Sequence, residues 1–310
     1  DRCNIRCFYC MPNGLAEFLP REQLLTYEEI EEFVRAVTPL GISKLRITGG
    51  EPLVRAELPK LIRRLTRIEE VAEVALTSNG ILLTEQAEEL RRAGLHRLNV
   101  SLDALSEAAF RQIARRPGVD RVLSGIAAAQ SVGFQSIRLN AVALRGISES
   151  EISPLVRFAR EHDLELRFIE FMPLDAERNW RDAGVLTGAD VRKLVERDFG
   201  PLQPVERRDA SQPAIDYEFL RGGGRIGFIN SLSEPFCGDC NRLRITAEGQ
   251  VRNCLFSTTE WDARRLLRNS AGEDAIRKLV RRCVAAKAEA HGVHEDGFQR
   301  PERAMYQIGG

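Results

Sequence analysis

The chain has 310 residues, enough for one large α/β domain or two domains of average size with a full hydrophobic core. Hydrophobic residues make up 43% and charged residues 29%, as in ordinary globular proteins, and no apolar segment approaches the roughly 18 residues that span a bilayer. The 45 basic and 45 acidic side chains leave no net charge to attract nucleic acid. The composition excludes a membrane-spanning protein and predicts neither nucleic acid nor a membrane as a partner.

Helix-like and strand-like segments alternate from residue 26 to about residue 171, which predicts parallel strands joined by crossover helices. One predicted helix covers residues 26–41 and ends at Gly41. Another covers residues 84–94, with Thr84 as its N-cap and Gly94 as its C-terminal stop. The pattern predicts an α/β fold with strands at residues 43–48, 71–77, 96–102, 136–144 and 166–171.

Polar residues follow three of these predicted strands. They are residues 48–52 (TGGEP), 77–80 (TSNG) and 101–103 (SLD). In a parallel barrel or an open parallel sheet, ligands bind at the carboxyl ends of the strands. The sequence therefore predicts a ligand site at this edge.

The pattern changes after residue 173, where a polar segment (174–183) precedes a predicted helix at residues 187–199. Short alternating segments follow at residues 215–220, 225–229 and 243–246, with a glycine turn at residues 222–224, and they predict antiparallel hairpins. We therefore predict two regions, residues 1–173 and residues 174–310.

The first of two cysteine groups consists of Cys3, Cys7 and Cys10, with the spacing C-x3-C-x2-C. The chain has seven cysteines, and an odd number in tight groups with no secretory signal ahead of them predicts metal ligation in a reducing compartment. Three thiolates can bind one face of an iron-sulfur cube and leave the fourth iron open. The alternative is a zinc knuckle completed by a histidine. Cys283 stands alone in a predicted helix, where we expect a buried, unreactive thiol.

The second group consists of Cys237, Cys240 and Cys254 and again supplies three thiols. From the spacing alone, either an iron-sulfur cluster or a zinc ribbon fits. In the zinc ribbon, His291 or His294 would be the fourth ligand.

Several motifs together resemble a known family. C-x3-C-F-Y-C resembles the cluster motif of the radical S-adenosylmethionine (SAM) superfamily, and GGEP at residues 49–52 resembles its second motif. Over essentially the whole chain, DRCNIRCFYCMP, LRITGGEPLVR, TSNG, LNVSLDA, RLNAV, LRFIEFMPL, the second cysteine group and the terminal Gly-Gly resemble the GTP 3′,8-cyclase (MoaA) family of molybdenum cofactor biosynthesis. That family converts GTP to 3′,8-cyclo-GTP by radical chemistry, and its members are lyases.

The resemblance implies an incomplete (β/α)6 radical SAM barrel, closed by a smaller C-terminal region that carries a second iron-sulfur cluster. Its cofactors would be SAM and two 4Fe-4S clusters, one on each cysteine group. The implied SAM ligands are Tyr9, Gly49, Gly50, Glu51, Thr77, Asn79 and Ser101. The implied GTP ligands are Lys44, Arg46, Arg138, Arg167, Ile169, Arg242 and Arg244. The implied catalytic residues are Arg242, Arg244, Gly309 and Gly310.

The expected partners also come from the resemblance. They are GTP, a low-potential electron donor of the flavodoxin or ferredoxin type and a downstream cyclic pyranopterin monophosphate synthase. The family is commonly dimeric, and we expect a bacterial cytoplasmic protein. The rival hypotheses are a peptide-modifying radical SAM enzyme of the SPASM type, whose C-terminal region usually carries more cysteines, and a non-catalytic metal scaffold that binds nucleotide.

The chain departs from the family pattern in two respects. It starts at Asp1 without Met, and we expect the family's first barrel strand and an Arg in a Gly-Arg pair to lie upstream, where a targeting segment would also lie. At position 138 the family often has Lys, whereas this chain has Arg, which keeps the charge but changes the geometry of its donors.

Overall fold

A computed structural model describes residues 1–14, 16, 18–207 and 209–309. Within these residues, the main sheet has eight strands in the order β1-β2-β3-β4-β5-β8-β7-β6. The strands are β1 Lys44–Ile47, β2 Glu73–Ser78, β3 Arg97–Ser101, β4 Ile137–Ala143, β5 Glu165–Glu170, β6 Leu202–Pro204, β7 Ile215–Phe219 and β8 Arg225–Ile229. The run from β1 to β5 and on to β8 is parallel, whereas β7 pairs antiparallel with both β8 and β6.

Ten helices accompany the sheet in the described part of the chain. They are α1 Tyr27–Val37, α2 Leu58–Leu65, α3 Leu83–Arg92, α4 Glu107–Ala114, α5 Val119–Ser131, α6 Ile152–Glu161, α7 Gly188–Phe199, α8 Ala263–Arg268, α9 Glu273–Ala285 and α10 Met305–Ile308. A small antiparallel sheet holds β9 Arg244–Ile245, β10 Gln250–Arg252 and β11 Trp261–Asp262. None of the described helices is long and apolar enough to cross a membrane.

The core lies between the main sheet and helices α2 to α7. In β4, buried residues alternate with half-buried residues, so Ile137 and Leu139 face this core while Arg138 and Asn140 face the other way. Side chains from β1 and β5, which lie four places apart in the strand order, line one cavity on that other face. The sheet therefore curves around a cavity without closing into a barrel. The predicted α/β fold with an incomplete parallel barrel is confirmed.

Most predicted element boundaries lie within one or two residues of those observed. Thr26 caps α1 by accepting from the Glu29 N–H, and the helical segment ends at Gly41, which has a φ of +91°. The prediction that Thr84 caps α3 is wrong, because the helix begins at Leu83. Gly80 adopts a φ of +78° and its carbonyl accepts from the Leu83 N–H at 3.1 Å, so the chain turns into the helix earlier than the threonine.

The predicted hairpin at residues 215–229 forms, and one of its strands also pairs with a strand outside the hairpin. Strand β8 lies beside β5 and pairs with it in parallel, with Leu166 opposite Ile226. The main sheet therefore continues across residue 173, and the division of the chain at that residue stays a prediction.

Candidate active site

One open cavity of about 1930 Å³ lies on the concave side of the main sheet. Its wall at one end is formed by residues 48–52, just after β1. At the other end the wall is formed by basic side chains of the strands and by residues 240–247. The cavity thus joins the edge where the GGEP motif lies to the region of the second cysteine group.

The first cysteine group lies on a tight loop that is attached to the end of α4. The N–H groups of Cys10 and Met11 both donate to the Cys7 carbonyl at 2.9 Å, and the Phe8 N–H donates to the Ile113 carbonyl at 3.1 Å. Burial raises the pKa of all three thiols in the group. Three such thiols on one short loop fit a cluster in which each thiolate binds a different iron.

Glu51 connects the GGEP turn to the turn after β2. Its buried carboxylate accepts from the Leu53 N–H at 3.0 Å, the Ser78 hydroxyl at 2.8 Å and the Asn79 N–H at 2.7 Å. Burial raises its pKa to about 7, although these hydrogen bonds oppose the shift. The Asn79 amide group in turn donates to the Cys3 sulfur at 3.7 Å. An ionised carboxylate has about four acceptor sites, so Glu51 keeps capacity for one further donor, such as an ammonium.

A close approach of the protein's own backbone requires glycine at position 50. A Cβ at this position would lie 2.2 Å from the Arg2 carbonyl oxygen, which accepts from the Glu51 N–H at 2.7 Å. The backbone that approaches Gly50 so closely is therefore the segment just before Cys3. A side chain at Gly50 would separate the GGEP turn from the cysteine loop.

A small enclosed pocket of about 20 Å³ lies beside the cysteine loop, and Tyr9, Asn79 and Ser101 line it. Asp103, which the sequence analysis placed at this edge but did not assign as a ligand, also lines it. Its carboxylate accepts from the Tyr9 hydroxyl at 2.6 Å and from the Val142 N–H at 2.8 Å, and burial raises its pKa to about 6. The position of Asp103 at the carboxyl end of a strand was the signal that could have identified it.

Two predicted ligands lie apart from both cavities among the described residues. Thr77 lies on β2 and is within 3.5 Å of the Asn99 amide nitrogen. Ile169 lies on β5, opposite Val142 and Ile229 in the strand register. Their predicted roles as SAM and GTP ligands stay predictions.

Cationic side chains crowd the far end of the cavity. They come from β1, β3, β4, β5, β9 and the segment just before β9 and are Lys44, Arg46, Arg97, Arg138, Arg167, Arg242 and Arg244. Desolvation and the neighbouring arginines, Arg97 first, lower the pKa of Arg46 to about 10, although its side chain remains accessible through the cavity. Desolvation followed by the Arg242 charge lowers the pKa of Arg244 to about 10 as well. The crowding of like charges favours a bound anion.

Carboxylates pair with four of these cations, and two of those carboxylates, Glu73 and Asp209, line the cavity themselves. Arg97 forms an ion pair with Glu73 at 2.7 Å, and Arg167 forms one with Asp216 at 3.4 Å. The Nε of Arg167 is buried and has no hydrogen-bond partner, and no carboxylate of the described residues pairs with Arg46. These unpartnered donors suit a polyphosphate. Arg97 was missed by the sequence analysis, although it lies on a predicted strand as Arg46 does.

The second cysteine group lies next to this cationic end. An Arg242 Nη donates to the Cys240 sulfur at 3.3 Å, and the guanidinium stacks on the Phe236 ring at 4.5 Å. Although burial alone would raise it, the pKa of the Cys240 thiol is lowered to about 7 by the Arg242 backbone N–H and by Lys287. A thiol that ionises near neutral pH is a ready metal ligand.

His291 does not offer a ring nitrogen to the second group. Its Nε2 lies 2.8 Å from the Ser231 carbonyl, and its Nδ1 accepts from the Val293 N–H at 3.1 Å. The described residues contain no group of three or more His, Cys, Asp or Glu side chains arranged to hold a single metal ion.

The C-terminal segment reaches into the cavity between its two ends. The Gly309 carbonyl accepts from the Arg244 guanidinium, and a Cβ at Gly309 would lie 2.8 Å from the Thr48 methyl carbon. Its φ of +76° also favours glycine. Arg303 anchors the preceding residues by ion pairs to Glu248 at 2.5 Å and Glu260 at 2.6 Å. Gly310, the other predicted tail residue, lies outside the described residues.

The fold resembles solved structures that have little sequence similarity to this chain. A crystal structure of Streptococcus suis SuiB matches with a TM-score of 0.65 and 17% identity, over 97% of this chain and 73% of that chain. A crystal structure of methylornithine synthase matches with a TM-score of 0.50 and 16% identity, over 64% of this chain and 59% of that chain. At such identities the likeness concerns the fold alone.

Sequence similarity is much higher to curated relatives. Residues 1–159 match the Radical SAM superfamily model, and residues 164–293 match the Molybdenum Cofactor Synthesis C model. A GTP 3′,8-cyclase of Rhodopirellula baltica is 53% identical over 313 residues, covering 100% of this chain and 87% of the relative. A GTP 3′,8-cyclase of Paenarthrobacter nicotinovorans is 41% identical over 327 residues, covering 100% of this chain and 92% of the relative. The chain therefore belongs to the radical SAM superfamily and, within it, to the GTP 3′,8-cyclase family.

Proposed function

We propose that this enzyme converts GTP to 3′,8-cyclo-GTP in the first step of molybdenum cofactor biosynthesis. The observation that carries the proposal is the single cavity with two unlike ends. One end contains the GGEP turn, whose Glu51 N–H donates to the Arg2 carbonyl just before the first three-cysteine loop, and the other collects arginines beside a second three-cysteine group. A radical reaction needs its source and its substrate close together, and one shared cavity provides for this.

The first end is suited to SAM and a 4Fe-4S cluster. Cys3, Cys7 and Cys10 would hold the cluster, and the remaining acceptor capacity of Glu51 would take the methionine ammonium. When bound and reduced, this pair supplies the 5′-deoxyadenosyl radical that removes a hydrogen atom from the ribose 3′ carbon. Tyr9, Gly49, Gly50, Thr77, Asn79 and Ser101 complete the proposed SAM site.

The second end is suited to a nucleoside triphosphate. Arg46 and the unpartnered Nε of Arg167 would bind the phosphates, together with Lys44, Arg138, Ile169, Arg242 and Arg244. Cys237, Cys240 and Cys254 would hold a second 4Fe-4S cluster, whose open iron would face the nucleotide. Gly309 and Gly310 would act from between the two ends, since the Gly309 carbonyl already contacts Arg244.

The proposed partners follow from this chemistry. A low-potential flavodoxin or ferredoxin would reduce the first cluster, and a cyclic pyranopterin monophosphate synthase would take up the product. We also propose a homodimer in the bacterial cytoplasm.

Anaerobic reconstitution tests the proposal directly. The reconstituted protein should bind about eight irons, four for each three-thiolate group. With dithionite it should cleave SAM to 5′-deoxyadenosine, and with GTP it should also form 3′,8-cyclo-GTP, both measured by liquid chromatography and mass spectrometry. Stoichiometric zinc without iron, or SAM cleavage with no GTP-derived product, would contradict the proposal.

A further inference from the structure

Lys287 points its ammonium group at the second cysteine group. It lies two residues after the end of α9 and is half-buried. Its Nζ donates to the Cys240 sulfur at 3.1 Å, to the Cys240 carbonyl at 2.7 Å and to the Arg242 carbonyl at 3.2 Å. All three ammonium donors are thus directed to one short loop. No carboxylate of the described residues forms an ion pair with it.

Helix α9, which ends two residues before Lys287, is held by buried contacts. Ile276, Val280 and Cys283 of α9 are buried against α1, α8 and β10. The Asn253 side chain donates to the Cys283 carbonyl at 2.8 Å, which connects the helix to the residue just before Cys254. The backbone that leads to Lys287 is therefore held in place by the fold.

The three thiols of the group differ in their donors. Cys254 accepts from the backbone N–H of Phe256 at 3.4 Å, and Cys237 accepts from the backbone N–H of His291. Cys240 alone among the three accepts from charged side chains in the described part of the protein, namely Arg242 and Lys287. Arg242 and Lys287 both line the cavity, but the three hydrogen bonds of the Lys287 ammonium all go to Cys240 and Arg242 of this loop.

We propose that Lys287 is a positioning residue for the second cluster, which holds the Cys240 thiolate in place and raises the reduction potential of that cluster. The proposal rests on the proposed function, since it needs the second cluster. A cationic donor to a ligand sulfur withdraws electron density from the iron and stabilises the reduced state. The same withdrawal makes the open iron a better acceptor for a nitrogen or oxygen of the substrate.

The test uses a parent protein in which Cys3, Cys7 and Cys10 are replaced by Ala, so that only the second group can hold a cluster. Three variants are made in this parent: Lys287→Met, Lys287→Arg and Lys278→Met. Lys278 is the matched control, because it is an exposed lysine of α9, the helix that precedes Lys287. Iron content is measured first, and the midpoint potential of the cluster is then measured by a redox titration monitored by electron paramagnetic resonance.

We expect Lys287→Met to shift the midpoint potential to a more negative value, Lys287→Arg to restore most of the shift, and Lys278→Met to leave the potential unchanged. If Lys287→Met fails to retain iron, Lys287→Gln is titrated in its place, and a smaller negative shift is expected because its amide donor is uncharged. If Lys287→Met or Lys287→Gln retains its cluster and has the same midpoint potential as the parent, the inference is overturned, whereas the proposed function is not. No iron in the parent would overturn the second cluster and the inference with it.

Discussion

The two ends of the cavity are built in opposite ways. The end with the first cysteine group is made of contiguous motifs, and backbone contacts such as the Glu51 N–H to the Arg2 carbonyl hold them together. The other end is made of single arginines on separate strands, which meet only because the sheet curves. A site of the first kind can be recognised in a sequence by its motifs, whereas a site of the second kind exists only in the folded chain.

The two ends also carry opposite charge. Glu51 and Asp103 are buried acids whose pKa values are raised to about 7 and about 6, and Arg46 is a base whose pKa is lowered to about 10. In both cases burial disfavours the charged form. Each end is therefore stabilised by a ligand of the complementary charge, an ammonium at one and a polyphosphate at the other.

The largest expected difference between the ends comes from removal of the cysteines. Replacing Cys3, Cys7 and Cys10 by Ala should abolish both SAM cleavage and GTP cyclisation. Replacing the three cysteines of the second group should abolish cyclisation but spare part of the SAM cleavage, since the radical is made at the other end. Both products are measured after anaerobic reconstitution, and cyclisation at the wild-type rate in the second variant would show that this group is only structural.

The next largest effect is expected from the tail that lies between the ends. Deletion of Gly309 and Gly310 should remove cyclisation, leave iron content and thermal unfolding unchanged, and be partly reversed by excess of a peptide ending in Gly-Gly. Gly309→Ala should also lower cyclisation, because its Cβ would lie 2.8 Å from the Thr48 methyl carbon. Gly297→Ala is the matched control, since its φ of +92° is equally unfavourable but its Cβ would meet nothing within 4 Å. Full activity in the truncated protein would contradict a role for the tail.

A third prediction concerns the cationic end alone. Arg46→Ala should weaken GTP binding by about 2 to 5 kcal/mol, or roughly 30-fold to several thousandfold, without a comparable loss for SAM. The melting temperature without ligand should not fall, because the substitution relieves repulsion among the arginines. Arg116→Ala, at an exposed position, is the control and should change affinity by less than about 0.5 kcal/mol. Isothermal titration measures the affinity for both ligands. Equal losses of affinity for GTP and SAM would contradict the assignment of Arg46 to the GTP site.

The smallest predicted effect is the pH dependence that Glu51 contributes. Its folded pKa of about 7 lies above its usual value of 4.5, so the folded protein binds the proton more tightly than the unfolded chain does. The contribution of Glu51 to the stability of the ligand-free protein should therefore be complete below about pH 4.5 and decrease as the pH rises to about 7, by up to about 3 kcal/mol. Arg46 contributes nothing in this range, because its pKa is about 10.

Urea unfolding between pH 5 and pH 8, with Glu51→Gln as the comparison, measures this contribution. The variant should show a smaller decrease than the parent, and the part that remains is expected from Asp103, whose pKa is also raised, to about 6. SAM affinity should change in the opposite direction and increase between pH 6 and pH 8, because an ammonium binds the ionised carboxylate. The same slope in parent and variant would show that other groups govern the pH dependence.

The sequence predicted local features better than distant contacts. Thr26 as a helix cap and the strand boundaries followed from short patterns, and the curated relatives confirmed the family that the motifs indicated. The pairing of β8 with β5 could not be read from residues 225–229, because a hairpin pattern does not reveal a third neighbour. Arg97 and Lys287 were missed for a related reason, since an isolated cation has the same local pattern at a site as on the surface.

Strand β8 also has a consequence for how the chain is made on the ribosome. It is synthesised well after β5, with α7 and two other strands between them, yet it covers the edge of β5. Until residue 229 has left the ribosome, the polar backbone of β5 on that side lacks its parallel partner and is open to pairing with another chain. A nascent chain that stalls within residues 174–224 should therefore be prone to aggregation, although its motifs for the first cluster have already been synthesised.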